Sequence, residues 1–465
     1  MSAVDKARAL SARLAIAAAG SSLGAALTEQ TEKARSRRQA GLTLLLRVAG
    51  AGIAFLSQAF IARWLGASEF GFYAIAWTYV VICGSLSQAG FAASVIRFVA
   101  QYREFGLHAR MRGLHRFAFA TVLGIGVAVA VLGSLVLSVQ GPRLDPGLMV
   151  PLQLALLCIP IFALTELGRG VARAHDWMMI AYAPAFLGRP VALTLILAAL
   201  IGAGYSLSAE LAMWASIGGA AVALAAQWLA IGRRLRPGLL QAAARYRPRT
   251  WIVVSVPLLV VDGFYVMMSH LDVVMLAAFV SSAEVAVYFA AVKVTALLSF
   301  ISFAVSAVAA PMLARLHAAR RREDLEAAVH MFIGWTFWPT LAGSLLLALA
   351  GDWILGLFGR DFTEGYDLML ILCVALLAQA AVGPIKFLLS MTGQQNAMAG
   401  LLCAAAAINI GLNLALIPAM GPKGAAIGTA AATLIGSVLL LMLVRKRLGV
   451  WSIIGGRQSR PQGAS

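Results

Sequence analysis

About twelve stretches of this chain are long and apolar enough to cross a bilayer: 41–62, 71–97, 117–139, 148–168, 177–201, 208–231, 251–279, 285–312, 329–349, 367–389, 396–417 and 424–444. A hydrocarbon core of about 30 Å takes about 20 residues of helix at about 1.5 Å each. Lipid offers no partner to backbone N–H and C=O groups, so each run must satisfy its own and fold as an α-helix. Composition leaves no competing fold. With 61% hydrophobic and only 12% charged residues, and a mean hydropathy of +0.87, the chain lacks the charge to cover a water-facing surface. The expected class is an all-α integral membrane protein.

A net charge of +18 suggests nucleic acid as a partner until its distribution is read. The basic residues crowd alternate loops. One side receives Arg35/Arg37/Arg38, Arg103/Arg110/Arg112/Arg116, Arg169/Arg173, Arg233/Arg234/Arg236 with Arg245/Arg247/Arg249, Arg315/Arg320/Arg321/Arg322 and Arg445/Lys446/Arg447. The other receives Arg63, Arg143, Arg360 and Lys423. By the positive-inside rule the first side is cytoplasmic and holds both termini, and no nucleic acid is needed to explain the charge. One missed span would scramble this alternation, so it supports the count independently. Residues 1–40 mix Ala-rich sequence with charges of both signs, which fits a cytoplasmic tail better than a cleaved leader. The basic loop 232–250, punctuated by Pro237 and Pro248, divides six spans from six. The expected organisation is a tail (1–40), a six-helix bundle (41–232), a basic cytoplasmic linker (233–250), a second six-helix bundle (251–447) and a tail (448–465).

The two halves carry related sequence. WLGASEFGFYAIA begins at Trp64 and FVSSAEVAVYFAA at Phe279, an offset of 215 that sets Glu69 on Glu284, Tyr73 on Tyr288 and Gly71 on Ala286. With six spans per half, both halves start on the same side, so the repeats run parallel about an axis along the membrane normal. A working surface between them is expected.

Charges inside spans cost roughly 2.5–3.5 kcal/mol each and usually face a cavity or a partner. Arg189 lies within its span between Pro184 and Pro190, whose rings break the backbone ladder and favour a polar, cavity-lining segment; a structural Arg capping freed carbonyls is the competing reading. Arg47 and Asp262 fall on each other by the 215 offset. Arg47 and Gln58 share one helix face, while Ser255, Asp262, Tyr265, Ser269 and Asp272 share another, so two polar stripes are expected to face each other across the central cleft. A salt bridge locking the halves would explain the same pair. Lys293 is a further cavity candidate, and Lys386 lies near enough to a span end to snorkel. Glu166 and Arg97, at cytoplasmic span ends, are candidates for gate salt bridges or are simply solvated. His270 reads as a satisfied intramembrane histidine, and Asn409 and Asn413, one turn apart, as helix–helix hydrogen bonding.

Catalysis finds no support. The largest extracytoplasmic loop, 351–367, is too small for a catalytic domain, and no metalloprotease, nucleophile-elbow, phosphate-loop or dinucleotide motif sits in its required context. Cys83, Cys158, Cys373 and Cys403 lie singly in apolar runs, implying neither disulfides nor a metal site. No cofactor is expected.

FIARWLGASEFGFYAIA with SLSQAGFAASVIRFVAQYRE, then ILGLFGRDFTEGYDLMLIL and INIGLNLALIPAMGPKGAAIGTAAATLIG, resemble the polysaccharide-transport branch of the multidrug/oligosaccharidyl-lipid/polysaccharide exporter superfamily over residues 40–447. The resemblance implies an O-antigen-type flippase of the bacterial inner membrane. It would carry an undecaprenyl-pyrophosphate-linked oligosaccharide, a lipopolysaccharide or exopolysaccharide repeat unit, by alternating access. It would act as a monomer alongside a polysaccharide polymerase and glycosyltransferases. It also implies a cationic central cavity, for which Arg47, Arg189, Lys293 and Gln58 are the candidates by position. Asp262, Asp272, Glu166 and Arg97 are the candidates for ion coupling or gating. A cation-coupled drug exporter and a lipid II flippase of the same superfamily are the alternatives. The first would favour an acidic, apolar pocket, and the second usually has two more helices.

Overall fold

The computed structural model describes residues 48–141, 144–239, 243–319, 321–383 and 395–448; Arg47 and Lys386 lie outside them. Helices make up nearly all of this, and there is no strand among the described residues. Eleven helical segments are long and apolar enough to cross a membrane. One of them, Val48–Glu104, has 57 residues and would be about 85 Å long if straight, far more than one crossing. It folds back at Gly66, whose φ of +76° is a left-handed conformation that glycine adopts without a Cβ penalty. Residues from either side of that point, Ala54 and Trp77, line one cavity, which a straight helix would hold about 34 Å apart. Counting the segment as two crossings gives the twelve expected from the sequence.

The first bundle comprises α1 (48–65), α2 (67–87) and its continuation α3 (Phe91–Glu104), α4 (His108–Gln140), α5 (Pro146–Ala174), α6 (Met178–Gly202) and α7 (Ala209–Leu239). The second comprises α8 (Pro248–Leu276), α9 (Ser282–Ala318), α10 (Arg322–Gly356), α11 (Tyr366–Val382), α12 (Gln395–Met420) and α13 (Pro422–Leu448). The 215 offset relates them along their whole length. Shifted by it, His108–Gln140 lands on 323–355, against Arg322–Gly356, and 67–104 lands on 282–319, against Ser282–Ala318. In each half the second crossing opens with the repeated motif. Glu69 accepts a hydrogen bond from the Ala209 amide at the start of α7 (2.6 Å), and Glu284 closes a capping box with Ser281.

The two copies of the motif also meet each other. Ser68 and Ser282 hydroxyls are 3.2 Å apart, and a Cβ on Gly71 would collide with the Ser282 carbonyl oxygen. In lipid, helices gain little from burying apolar surface, so close approach of small residues carries much of the packing. Behind this contact Phe70 makes edge-on contacts with Phe289 (5.9 Å) and Phe362 (5.8 Å), joining the halves at the arginine-poor end. At the arginine-rich end they touch through α8. Ser255 hydrogen-bonds Ser94 (2.7 Å), and Trp251 donates to the Tyr102 hydroxyl (2.9 Å). Thus α8 starts on the first bundle, and its far end packs against α9, α12 and α13 of its own.

Candidate functional site

Between these two seams lie two cavities that share a wall. The inner one, of about 280 Å³, is bounded by α1, α2, α5, α6, α7, α8 and α9 and so belongs to both bundles. Arg189 reaches it because of its prolines. Pro184 opens a π turn over Pro184–Gly188, closed by the Arg189 amide bonding back to the Pro184 carbonyl. Such a wide turn re-aims the side chains that follow it. The Arg189 guanidinium lies 4.2 Å from the centre of the Trp77 ring. Facing it from the second bundle, the Lys293 ammonium stands 4.5 Å from the Phe289 ring. Each cation rests on an aromatic face, which supports it without neutralising it. Arg169 and Glu166 complete the charges lining the chamber, three cations to one carboxylate. His270, also on the wall, is bonded through Nδ1 to the Val266 carbonyl of its own helix (3.1 Å). Arg189 and Lys293, each a cavity candidate from the sequence, line one cavity; Trp77 was not foreseen.

The second cavity, about 610 Å³, is wider and lies toward the arginine-rich end, so it forms a vestibule to the first. Arg97, Arg169 and Arg173 of the first bundle face Asp262 of the second across it. Asp262 therefore does look into the cleft, toward Arg169 and Arg173; its expected partner Arg47 lies outside the described residues. Glu166 and Arg97 were candidates for gate salt bridges or solvated span ends, and Glu166 has a partner on its own helix. It pairs with Arg169, three residues on along α5, because that spacing sets both on one helix face.

Asp272 is a correction. It was expected on the stripe facing the cleft, but it turns into the second bundle. Ten residues beyond Asp262 the wheel has rotated by about 80°, and α8 has by then left the first bundle for α9, α12 and α13. There its carboxylate accepts from Thr429 (2.7 Å), Asn413 (2.7 Å) and Tyr288 (3.1 Å). Asn413 also donates to Asn409 (3.3 Å), and its own Oδ1 is buried with no hydrogen-bond partner. Asn409 and Asn413, read as helix–helix hydrogen bonding, do bond across helices, Asn409 to the Thr429 hydroxyl (3.4 Å) and Asn413 to Asp272. A cavity of about 320 Å³ on Asn409 and Thr429, with Ser269 and Gln379, opens beside it.

The equivalent place in the first bundle is Ser57, one offset from Asp272. Ser57 bonds the Thr194 hydroxyl (2.7 Å) and the Pro190 carbonyl (3.2 Å), so the polar face of α1 also turns into its own bundle. Gln58 lies beside the buried Tyr73 hydroxyl, which accepts from Ser216 (3.2 Å), and its Oε1 is buried without a partner. Gln58 does not line either cleft cavity. Outside the spans, burial and the nearby Arg103 push the His175 imidazole down to about 4.

The sequence model of the polysaccharide biosynthesis protein family matches residues 36–317, and that of the MatE family matches 257–415. The chain is 23% identical over 420 residues, 85% of this chain and 80% of the relative, to a probable low-salt glycan biosynthesis flippase, Agl15, of Haloferax volcanii. Among solved structures it resembles an inward-facing multidrug resistance MATE transporter (TM-score 0.75, 14% identity, 87% of this chain and 98% of that one). It also resembles the lipid II flippase MurJ in an inward closed conformation (TM-score 0.67, 10% identity, 87% of each chain). The chain belongs to the polysaccharide biosynthesis protein family, within the multidrug/oligosaccharidyl-lipid/polysaccharide exporter superfamily.

Proposed function

We propose that the protein is a flippase that moves an undecaprenyl-pyrophosphate-linked oligosaccharide from the cytoplasmic to the outer leaflet of a bacterial inner membrane. The observation that carries this reading is the chamber between the bundles, where Arg189 and Lys293 meet with more positive than negative charge. A sugar diphosphate cannot cross about 30 Å of hydrocarbon alone, because its charges and hydroxyls would lose their water. Guanidinium and ammonium groups replace that water with charge-assisted hydrogen bonds, bidentate in the case of Arg. A cationic drug would be repelled from the same chamber, which argues against the drug-exporter alternative. The polyprenyl tail stays in the lipid while the head group passes between the bundles.

The Asp272 cluster supplies the complement. It gathers hard oxygens, from the Asp272 carboxylate and the Tyr288 and Thr429 hydroxyls, with the Asn413 amide bonded to it through nitrogen, and such oxygens suit a small alkali cation. The orphaned Asn413 Oδ1 fits a cation as ligand. Asp272, with Tyr288, Asn413 and Thr429, would hold it; a bound proton on Asp272 would serve the same coupling. The membrane potential contributes about 2.3 kcal/mol per charge per 100 mV to such movement.

The test is transport in proteoliposomes of a fluorescently tagged, diphosphate-linked lipid saccharide, read by quencher protection. Wild-type protein should expose the tag in the opposite leaflet and Arg189→Ala should not. Equal rates for the two, at equal protein incorporation, would refute the reading. A strain expressing the protein should gain no resistance to cationic dyes.

A further inference from the structure

Glu166 and Arg169 lie on the wall common to the vestibule and the inner chamber, and both line each of the two cavities. Their side chains are ion-paired; that of Glu166 is 9% exposed and that of Arg169 30%. The backbone beneath them is fixed, since α5 lies so close to α3 that a Cβ on Gly170 would strike the Ala92 carbonyl oxygen. Across the vestibule Asp262 presents a second carboxylate to Arg169, and Arg97 and Arg173 add positive charge at its rim.

We propose that the Glu166–Arg169 pair is a latch worked by the anionic head group, which meets it in the vestibule before reaching Arg189. A diphosphate entering beside Arg97 and Arg173 competes with Glu166 for the Arg169 guanidinium and offers it two bridging oxygens in place of a carboxylate. Arg169 turns toward the phosphate, the wall opens, and the head group passes to Arg189 and Lys293. Two stations with a shared arginine explain why one carboxylate stands in an otherwise basic chamber: it holds Arg169 when no phosphate is present. The inference rests on the proposed transport of a diphosphate-linked lipid.

The experiment uses the full-length protein with its four cysteines replaced and a single reporter, Ala54→Cys in the chamber or Ala93→Cys in the vestibule, labelled by an anionic methanethiosulfonate. Glu166→Gln should speed labelling at the chamber reporter by about tenfold, the scale of one hydrogen bond to a charged group, and leave the vestibule reporter unchanged. The same variant should bind inorganic pyrophosphate and a short isoprenyl diphosphate about tenfold more tightly, because the competing carboxylate is gone. Glu166→Asp, which keeps the charge, should behave as wild type, and an isoprenol without phosphate should have no effect. A response to the isoprenyl diphosphate alone would support a latch that needs the tail to deliver the head group. If Glu166→Gln changes neither labelling nor affinity while Arg189→Ala still loses diphosphate binding, the latch is wrong and the transport reading stands. If no variant or ligand alters diphosphate binding, both fall.

Discussion

Ser57 and Asp272 occupy the same place in the two halves, and what surrounds them has diverged. In the first bundle a neutral hydroxyl bonds Thr194 and the Pro190 carbonyl, tying α1 to the helix that presents Arg189 to the cleft. In the second, a carboxylate gathers Tyr288, Asn413 and Thr429 into a cluster set back from the cleft. Duplication supplied one scaffold twice. One copy carries Arg189 and Arg169, which face the chamber together with Lys293 of the other, and that other copy holds a polar cluster centred on a carboxylate. On the proposed reading, separate sites would keep substrate and ion from competing for one charge, and α8, rooted on the first bundle and ending in the second, touches both.

The comparison is broken most directly at Arg189. Arg189→Ala should lower the flipping rate by at least about a hundredfold, since it removes a bidentate phosphate contact in a low-dielectric chamber, and Arg189→Lys should restore only part of it. Protein level in the membrane should be unchanged. Asp272→Asn comes next. It should abolish the dependence of rate on the cation or proton gradient and slow flipping by about tenfold or more, leaving a slow, gradient-independent rate. The paired tyrosines sharpen the contrast further. Tyr288→Phe removes a bond to a carboxylate and should destabilise the protein by roughly 1.5–3 kcal/mol, whereas Tyr73→Phe removes a neutral bond worth roughly 1 kcal/mol; thermal unfolding in detergent measures both. The smallest effect lies at His175. Its folded-state imidazole is held at about 4, below the ordinary value, so the neutral form is favoured by folding. Its stabilising contribution is present above about pH 6.5 and is lost as pH falls toward 4. His175→Gln should therefore flatten the fall in melting temperature between pH 7 and pH 5.

Much of this was legible in the sequence, for stated physical reasons. Run length and arginine alternation fix helices and their count, because lipid admits few alternatives. Arg189 was found because two prolines around one arginine in a span are costly unless the freed backbone is used. Asp272 was an ion-coupling or gating candidate, yet it was set on the wrong side of its helix. A helical wheel reports which residues share a face of α8 but not that the helix crosses from one bundle to the other along its length. Asn413 and Thr429 were invisible as its partners because they lie 141 and 157 residues away and carry no motif. The 215 offset, extended beyond the opening motif, would have paired Asp272 with Ser57 and directed attention into the bundles.

Substrate and ion are proposed to bind in separate places, the chamber between the bundles and the Asp272 cluster within the second, and binding to purified protein tests this most directly. Calorimetric titration with an isoprenyl diphosphate and, separately, with sodium should give two independent losses: Arg189→Ala abolishes diphosphate binding and keeps sodium binding, and Asp272→Asn does the reverse. Loss of both ligands in either variant, with the fold intact, would contradict the account.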